Sequence, residues 1–222
     1  MTSFNAIQPD ELLAFLQRQR WFGAKSAAVA NPRVADVIPV PWRDAGAEFA
    51  IARVAVDVGG EARMYQLPIA VRPSRPAGVP DAAVISVREG SVIYDAVHDP
   101  DFRRELARVL TAGTVLTGSS GSRWVVEPVG ERQPAATAPL VTTVGSAEQS
   151  NTSIVVDDQI ILKLFRTLNP GIHPDVEVTR FLTMRAGFAN TPTLLATLRF
   201  EDAGTTTIAG MAQECIAESS DA

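Results

Sequence analysis

Residues 145–183 read GSAEQSNTSIVVDDQIILKLFRTLNPGIHPDVEVTRFLT, and three features in that order decide the fold. A turn of small residues, 145–152, lies between runs that predict strands over 140–144 and 152–156. Lys163 falls inside the next predicted strand, 160–165. Glu177 falls in the first turn of a helix predicted over 174–185. Period-two alternation puts Lys163 on one strand face with Ile161 and Phe165, so its ammonium leaves a half-buried surface and needs a partner. Glu177, on a new helix, is the candidate. A small-residue turn lets backbone amides and short polar side chains approach phosphate oxygens, a strand lysine gives them a fixed cation, and a helix carboxylate holds that lysine in place. The ordered set suits a kinase-type cradle for a nucleotide.

Each residue taken singly has a plainer reading. A lysine in an apolar strand is commonly a solvated edge residue. A glutamate in a first turn answers the helix dipole. Turns rich in Gly and Ser are common, and no G-x-G-x-x-G is present.

Working outward, the last third continues with strands over 194–200 and 205–213. Upstream, Gly, Ser, Pro and Ala dominate 113–143, with one short strand at 123–127, and this stretch reads as the connection between two units. Before it, Phe102, Leu106, Val109 and Leu110 form one face of a helix over 101–112, with Asp99 or Asp101 placed to cap it. His98-Asp99 and Asp101-Phe102 superficially match catalytic-loop and metal-loop dipeptides. Both precede Lys163, the wrong order for kinase chemistry, and read as an acid-rich helix start. Further upstream are a short apolar run at 83–87, a Pro-rich loop at 73–80, and strands over 34–40, 49–58 and 63–71. Gly59-Gly60 between the last two marks a hairpin. Pro9, Asp10 and Glu11 open a first helix bearing Leu12, Phe15 and Leu16 on one face. Trp21 and Phe22 invite a sugar-stacking role together with Lys25; core packing against that helix is the favoured reading, because aromatics bury large areas. Arg18 and Arg20 read as surface or inter-unit ion-pair residues.

Across 222 residues, 20 Lys plus Arg stand against 25 Asp plus Glu, a net charge of −5. The charges are interspersed, which excludes a basic nucleic-acid clamp. With 46% hydrophobic residues the chain can bury a real core,. A single cysteine, Cys215, and two separated histidines, His98 and His173, offer no disulfide framework and no ligand pair at metal spacing. No stretch approaches the roughly 20 apolar residues that span a bilayer. The expectation is a soluble cytoplasmic protein without a nucleic-acid or membrane partner.

The block 145–183 resembles the signature block of the bacterial maltokinases. Residues 20–25, RWFGAK, resemble the R-W-F-G-G-K segment opening that family's N-terminal cap, with Ala24 in place of one glycine. Residues 94–102, YDAVHDPDF, are similar to its passage from cap into kinase lobe. The resemblance implies an α+β fold: a β-rich cap over 1–97, then over 98–222 a protein-kinase-like N-lobe, an antiparallel sheet with one αC-type helix, similar to that of aminoglycoside phosphotransferases. It implies ATP-dependent phosphorylation of maltose to maltose 1-phosphate, in the trehalose-to-glycogen route of α-glucan metabolism. Carried over, it makes Ser150, Asn151 and Thr152 the phosphate-hairpin contacts, Lys163 the lysine for the α and β phosphates, and Glu177 its helix partner. Met211, Gln213, Glu214 and Ile216 become the hinge that receives adenine, with Cys215 where the family usually carries an aromatic. The family's catalytic base and Mg²⁺ ligands follow the hinge, so the resemblance implies a nucleotide-binding half, truncated after the hinge. Such a half has no catalytic or metal residues of its own and binds ATP weakly or not at all alone. The partners that the resemblance implies are nucleotide and a C-lobe, a trehalose-pathway enzyme or a second copy. Two alternatives stay open: a free-standing non-catalytic regulatory or partner-binding module, and half of a related kinase such as a glucosamine kinase.

Overall fold

The structure, a computed structural model, describes residue 4 and residues 7–24, 27–130, 140–145, 150–184 and 191–216. Helix α1 (Pro9–Arg18) opens with Pro9 in its first turn and a capping box between Gln8 and Glu11, as the acidic start predicts,. Strands β1 (Val29–Val40), β2 (Glu48–Val58), β3 (Glu61–Arg72), β4 (Val84–Arg88) and β5 (Ser91–Asp95) form an antiparallel sheet in the order β1-β2-β3-β5-β4. Val58 pairs with Glu61 across Gly59-Gly60, and both glycines have positive φ, 59° and 89°. That backbone is the one a two-residue hairpin turn requires. Helix α2 (Pro100–Thr111) follows, N-capped by Asp99, whose side chain accepts from the Asp101 amide.

A second, seven-stranded antiparallel sheet is built from β6 (Val115–Thr117), β7 (Arg123–Pro128), β8 (Thr142–Val144), β9 (Asn151–Val156), β10 (Ile160–Phe165), β12 (Leu194–Asp202) and β13 (Thr205–Glu214), in the order β6-β7-β12-β13-β10-β9-β8. The short β11 (Thr167–Leu168) leaves this sheet and pairs with β3 of the first. Helix α3 (Pro174–Met184) lies between β11 and β12 in the chain.

Burial places α1 on one face of the first sheet and α3 on the far face of the second, with α2 packed where the inner faces of the two sheets meet. One apolar cluster gathers α1 and the outer face of the first sheet, including Leu12, Phe15, Leu16, Trp21, Phe22, Ala50, Val54 and Leu67. A larger one joins the inner faces of both sheets, Phe49 and Ile51 from one and Trp124, Ile154, Leu162, Leu164 and Leu198 from the other, with Phe102, Leu106, Val109 and Leu110 of α2. The first sheet is thus covered on both sides, which is why β2 and β3 read as near-continuous apolar runs,. A small third cluster of Val129, Phe165, Val176, Leu194 and Met211 seats α3 on the outer face of the second sheet. The whole is an α+β fold with a β-rich N-terminal region and a sheet-plus-helix region after it.

Some expectations need revision. Strand β5 and the two-residue β11 were not anticipated, and β1 starts at Val29 rather than at 34. Residues 113–130, read as a loose connection with a single strand, form the β6–β7 hairpin. Its Gly/Ser turn is fixed by a buried carboxylate on β1: Asp36 accepts from Ser119 Oγ at 3.0 Å and the Ser120 amide at 3.1 Å, and it also holds the Ser122 hydroxyl. Three turn residues bonded to a distant acid thus supply the order that composition alone suggested was missing.

Candidate functional site

Strand pairing fixes which predicted residues meet. Lys163 lies opposite Ser153 on one side and Met211 on the other. Met211 lies opposite Thr197, and Thr197 opposite Glu127. Alternation puts Leu162 and Leu164 into the main core and leaves Lys163, half-buried, on the outer face with Ile161 and with Phe165, as the sequence predicts. Gly210 makes this ladder possible: a Cβ there would stand 2.4 Å from the Lys163 carbonyl oxygen. The apolar neighbours of Lys163 on that face, Met211 and Phe165, are each 1% exposed and gather with Val176 of α3, so among them Lys163 is the one only half-buried.

The three hairpin residues divide. Ser150 is exposed and Asn151 half-buried at the mouth of β9. Thr152 is paired with Leu164 and faces the interior, where its Oγ1 accepts from Arg166 Nε at 2.8 Å. Its hydroxyl therefore points away from the Lys163 face, because neighbouring residues in a strand alternate sides. Residues 146–149 of the turn, and Lys25 of the RWFGAK segment, lie outside the described residues.

The structure does not bring Glu177 to Lys163. Among the described residues these two form no ion pair, and Glu177 is exposed. Val176 is the residue of α3 that enters the sheet cluster, and Glu177 instead lines a groove of about 800 Å³ with Arg180, Phe181, Thr197 and Arg199. In this arrangement the carboxylate answers the helix start. His173, just before α3, stacks on Phe165 with ring centroids 3.7 Å apart. Burial holds its imidazole below the usual histidine value, against the opposing pull of Asp175.

The predicted hinge is the end of β13. Met211 is buried and Gln213 and Glu214 are half-buried, while Ile216 is exposed. Glu214 is held by Thr193 through its amide at 3.0 Å and its Oε2 at 2.5 Å. The Cys215 amide donates to Gln159 O at 2.7 Å.

Two residues that carry the junction were missed in sequence. Gln66 of β3 is fully buried and donates to Ala209 O at 2.9 Å and Phe165 O at 3.3 Å, while accepting from Trp124 Nε1 at 3.2 Å. Arg166 pairs with Asp95 at 2.8 Å, both side chains 1% exposed. The available signal was a polar residue at a core-facing position: Arg166 alternates in step with Leu162 and Leu164. Trp21, 8% exposed and among Phe15, Phe22 and Tyr65, packs in the core as expected. His98-Asp99 is likewise structural: Asp99 accepts from Arg72 Nε at 2.7 Å and Tyr94 Oη at 2.5 Å. Burial alone would raise the Asp99 pKa, but these bonds and that from the Asp101 amide hold it below the ordinary carboxylate value.

Among the described residues no group of three or more His, Cys, Asp or Glu is placed to hold a metal ion. No described helix is long and apolar enough to cross a membrane.

Residues 15–99 match the family model described as the maltokinase N-terminal cap domain. The chain is also similar to solved structures of glucosamine kinase. One is in complex with glucosamine, ADP and inorganic phosphate, at 12% identity and a TM-score of 0.52 over 96% of this chain and 40% of that one. Another crystal form gives 12% identity and a TM-score of 0.53 over 96% and 42%. This chain therefore spans about 40% of the length of those kinases. At such identity the likeness establishes the fold alone: a cap-like β-rich N-terminal region followed by a helix-and-sheet region that resembles a kinase N-lobe.

Proposed function

We propose that this chain is the nucleotide-binding part of an ATP-dependent sugar kinase, with a cap over 1–97 and an N-lobe over 98–222. The observation that carries the reading is Lys163, held half-buried in a central strand between Ser153 and Met211, on a fold shared with a kinase solved with ADP. Lys163 would pair with the α and β phosphates, and the backbone of Ser150 and Asn151 would close on their oxygens, with Thr152 anchoring the hairpin through Arg166. Gln213, Glu214 and Ile216 would edge the adenine, with the buried Met211 backing the site. When bound, ATP supplies the phosphoryl group; positioning and charge stabilisation supply nearly all the catalysis of its transfer. The described residues do not fit a Mg²⁺ site, so the reading takes the metal ligands and the base from the larger part of the fold that this chain does not span.

For the sugar, likeness over 96% of the chain favours an amino sugar of the glucosamine type. A second reading, maltose, is favoured by the cap match over residues 15–99. Calorimetric titration with ATP and Mg²⁺ tests the shared claim: the wild-type chain binds, weakly, and Lys163→Ala reduces affinity at least tenfold. Equal affinity in the two proteins overturns it. In the complete enzyme, offering glucosamine and maltose with ATP and identifying the phosphorylated sugar by mass decides between the two acceptors.

A further inference from the structure

Arg166 follows directly on β10, and its guanidinium joins three separate parts of the molecule. Nη2 meets Asp95 Oδ2 at 2.8 Å at the end of β5, Nε meets Thr152 Oγ1 at 2.8 Å in the hairpin, and the guanidinium carbon stands 4.9 Å from the centre of the Trp21 ring. Its backbone is engaged on both sides: the amide donates to Ser150 O at 3.3 Å, and the carbonyl accepts from the Gln66 amide at 2.8 Å.

A buried charge of this kind is a poor way to fill a core. Apolar residues of similar volume commonly match or exceed a buried ion pair in stability, and here Nη1 is buried without an acceptor, which costs further. What the planar fork supplies is geometry, two donors at fixed separation holding Thr152 and Asp95 at once, with Trp21 packed on its face.

We infer that Arg166 is a positioning residue that ties residues 150–152 to the N-terminal sheet, so that the cap, through Asp95 and Trp21, sets the order of the phosphate hairpin and with it nucleotide affinity. The effect on affinity rests on the nucleotide reading; the tie itself does not.

The test follows amide hydrogen exchange by NMR in the ligand-free chain, for Thr152→Val, Trp21→Leu, Arg166→Lys and Arg166→Met, with thermal unfolding and ATP·Mg²⁺ titration in parallel. Thr152→Val keeps the side chain's shape and removes the acceptor, and Trp21→Leu touches the arginine without touching the hairpin. These two carry the test should the Arg166 variants fail to fold. Exchange at the Thr152 and Arg166 amides is expected to rise at least tenfold relative to the Leu198 amide of the same molecule, and affinity to fall at least fivefold. Arg166→Lys keeps a cation for Asp95 but cannot span to Thr152. It is expected to lose hairpin protection while retaining more thermal stability than Arg166→Met, a split that a purely structural role would not produce. Wild-type protection of the hairpin in folded Thr152→Val and Trp21→Leu overturns the tie. Increased exchange with unchanged affinity overturns the control of binding. Failure of the wild-type chain to bind any nucleotide overturns the nucleotide reading and with it the affinity part, while the exchange result judges the tie alone.

Discussion

His98 and Asp95 illustrate how individual side chains at the junction depend on burial. Burial pushes the His98 imidazole below the ordinary histidine value; Asp95 opposes this, and Arg166 and Arg103 add to it. With the folded pKa below the unfolded one, about 6.5, the unfolded chain takes up the proton first. The contribution to stability is complete above that pH and is lost as the pH falls through the window down to the depressed folded value. His173 shifts the same way, from burial. The melting temperature should therefore fall between pH 7.5 and 5.5, and His98→Leu should flatten that slope; an unchanged slope refutes the assignment to His98. Asp95 accepts the Val97 amide at 3.2 Å as well as Arg166. Its replacement by Asn leaves a buried guanidinium without a counter-charge, so a loss of about 3–5 kcal/mol is expected, read as a lower urea midpoint at constant m-value.

At the level of elements, the β10–β13 ladder and the rotation of α3 matter most. Gly210→Ala puts a methyl group 2.4 Å from the Lys163 carbonyl and must separate the strand carrying the lysine from the strand carrying Met211. A destabilisation of about 2 kcal/mol or more is expected, and a neutral effect in chemical denaturation would show that the two strands do not lie this close. The orientation of α3 explains why the sequence-based pairing of Lys163 with Glu177 is absent here. Val176 occupies the sheet-facing position, and the next residue along a helix points about 100° away. Spacing along the chain locates a carboxylate in the first turn of this helix but does not fix the rotation at which the helix docks. By contrast α1, α2 and the Gly59-Gly60 hairpin were legible because their signals are local: a capping acid, a proline in the first turn, two residues able to adopt positive φ. The β6–β7 turn was not, because its order comes from Asp36, more than 80 positions away in sequence.

Taken as a whole, the molecule is a stack in which a polar junction crosses an otherwise apolar core. The two-part organisation was legible from the change of pattern along the chain and from the resemblance of its motifs. The way the parts join was not, since Gln66 reaches Phe165 and Arg166 reaches Asp95 across 99 and 71 positions. The outer face of α3 is open: Val178, Phe181 and Met184 are 56–58% exposed, with Ile172 at 71%. An apolar patch of this kind on a small domain promotes association. Phe181→Ser should leave stability within about 0.5 kcal/mol and lower any self-association seen in sedimentation; a loss of stability would mean that Phe181 is a core residue. The central claim is that the Lys163 face of the second sheet is a nucleotide cradle, and chemical-shift mapping with ATP and Mg²⁺ on the labelled chain tests it most directly. The account predicts shifts at Asn151, Ser153, Lys163 and Met211, across three adjacent strands, that vanish in Lys163→Ala. Shifts confined to other surfaces, or an unaltered pattern in the variant, would contradict it.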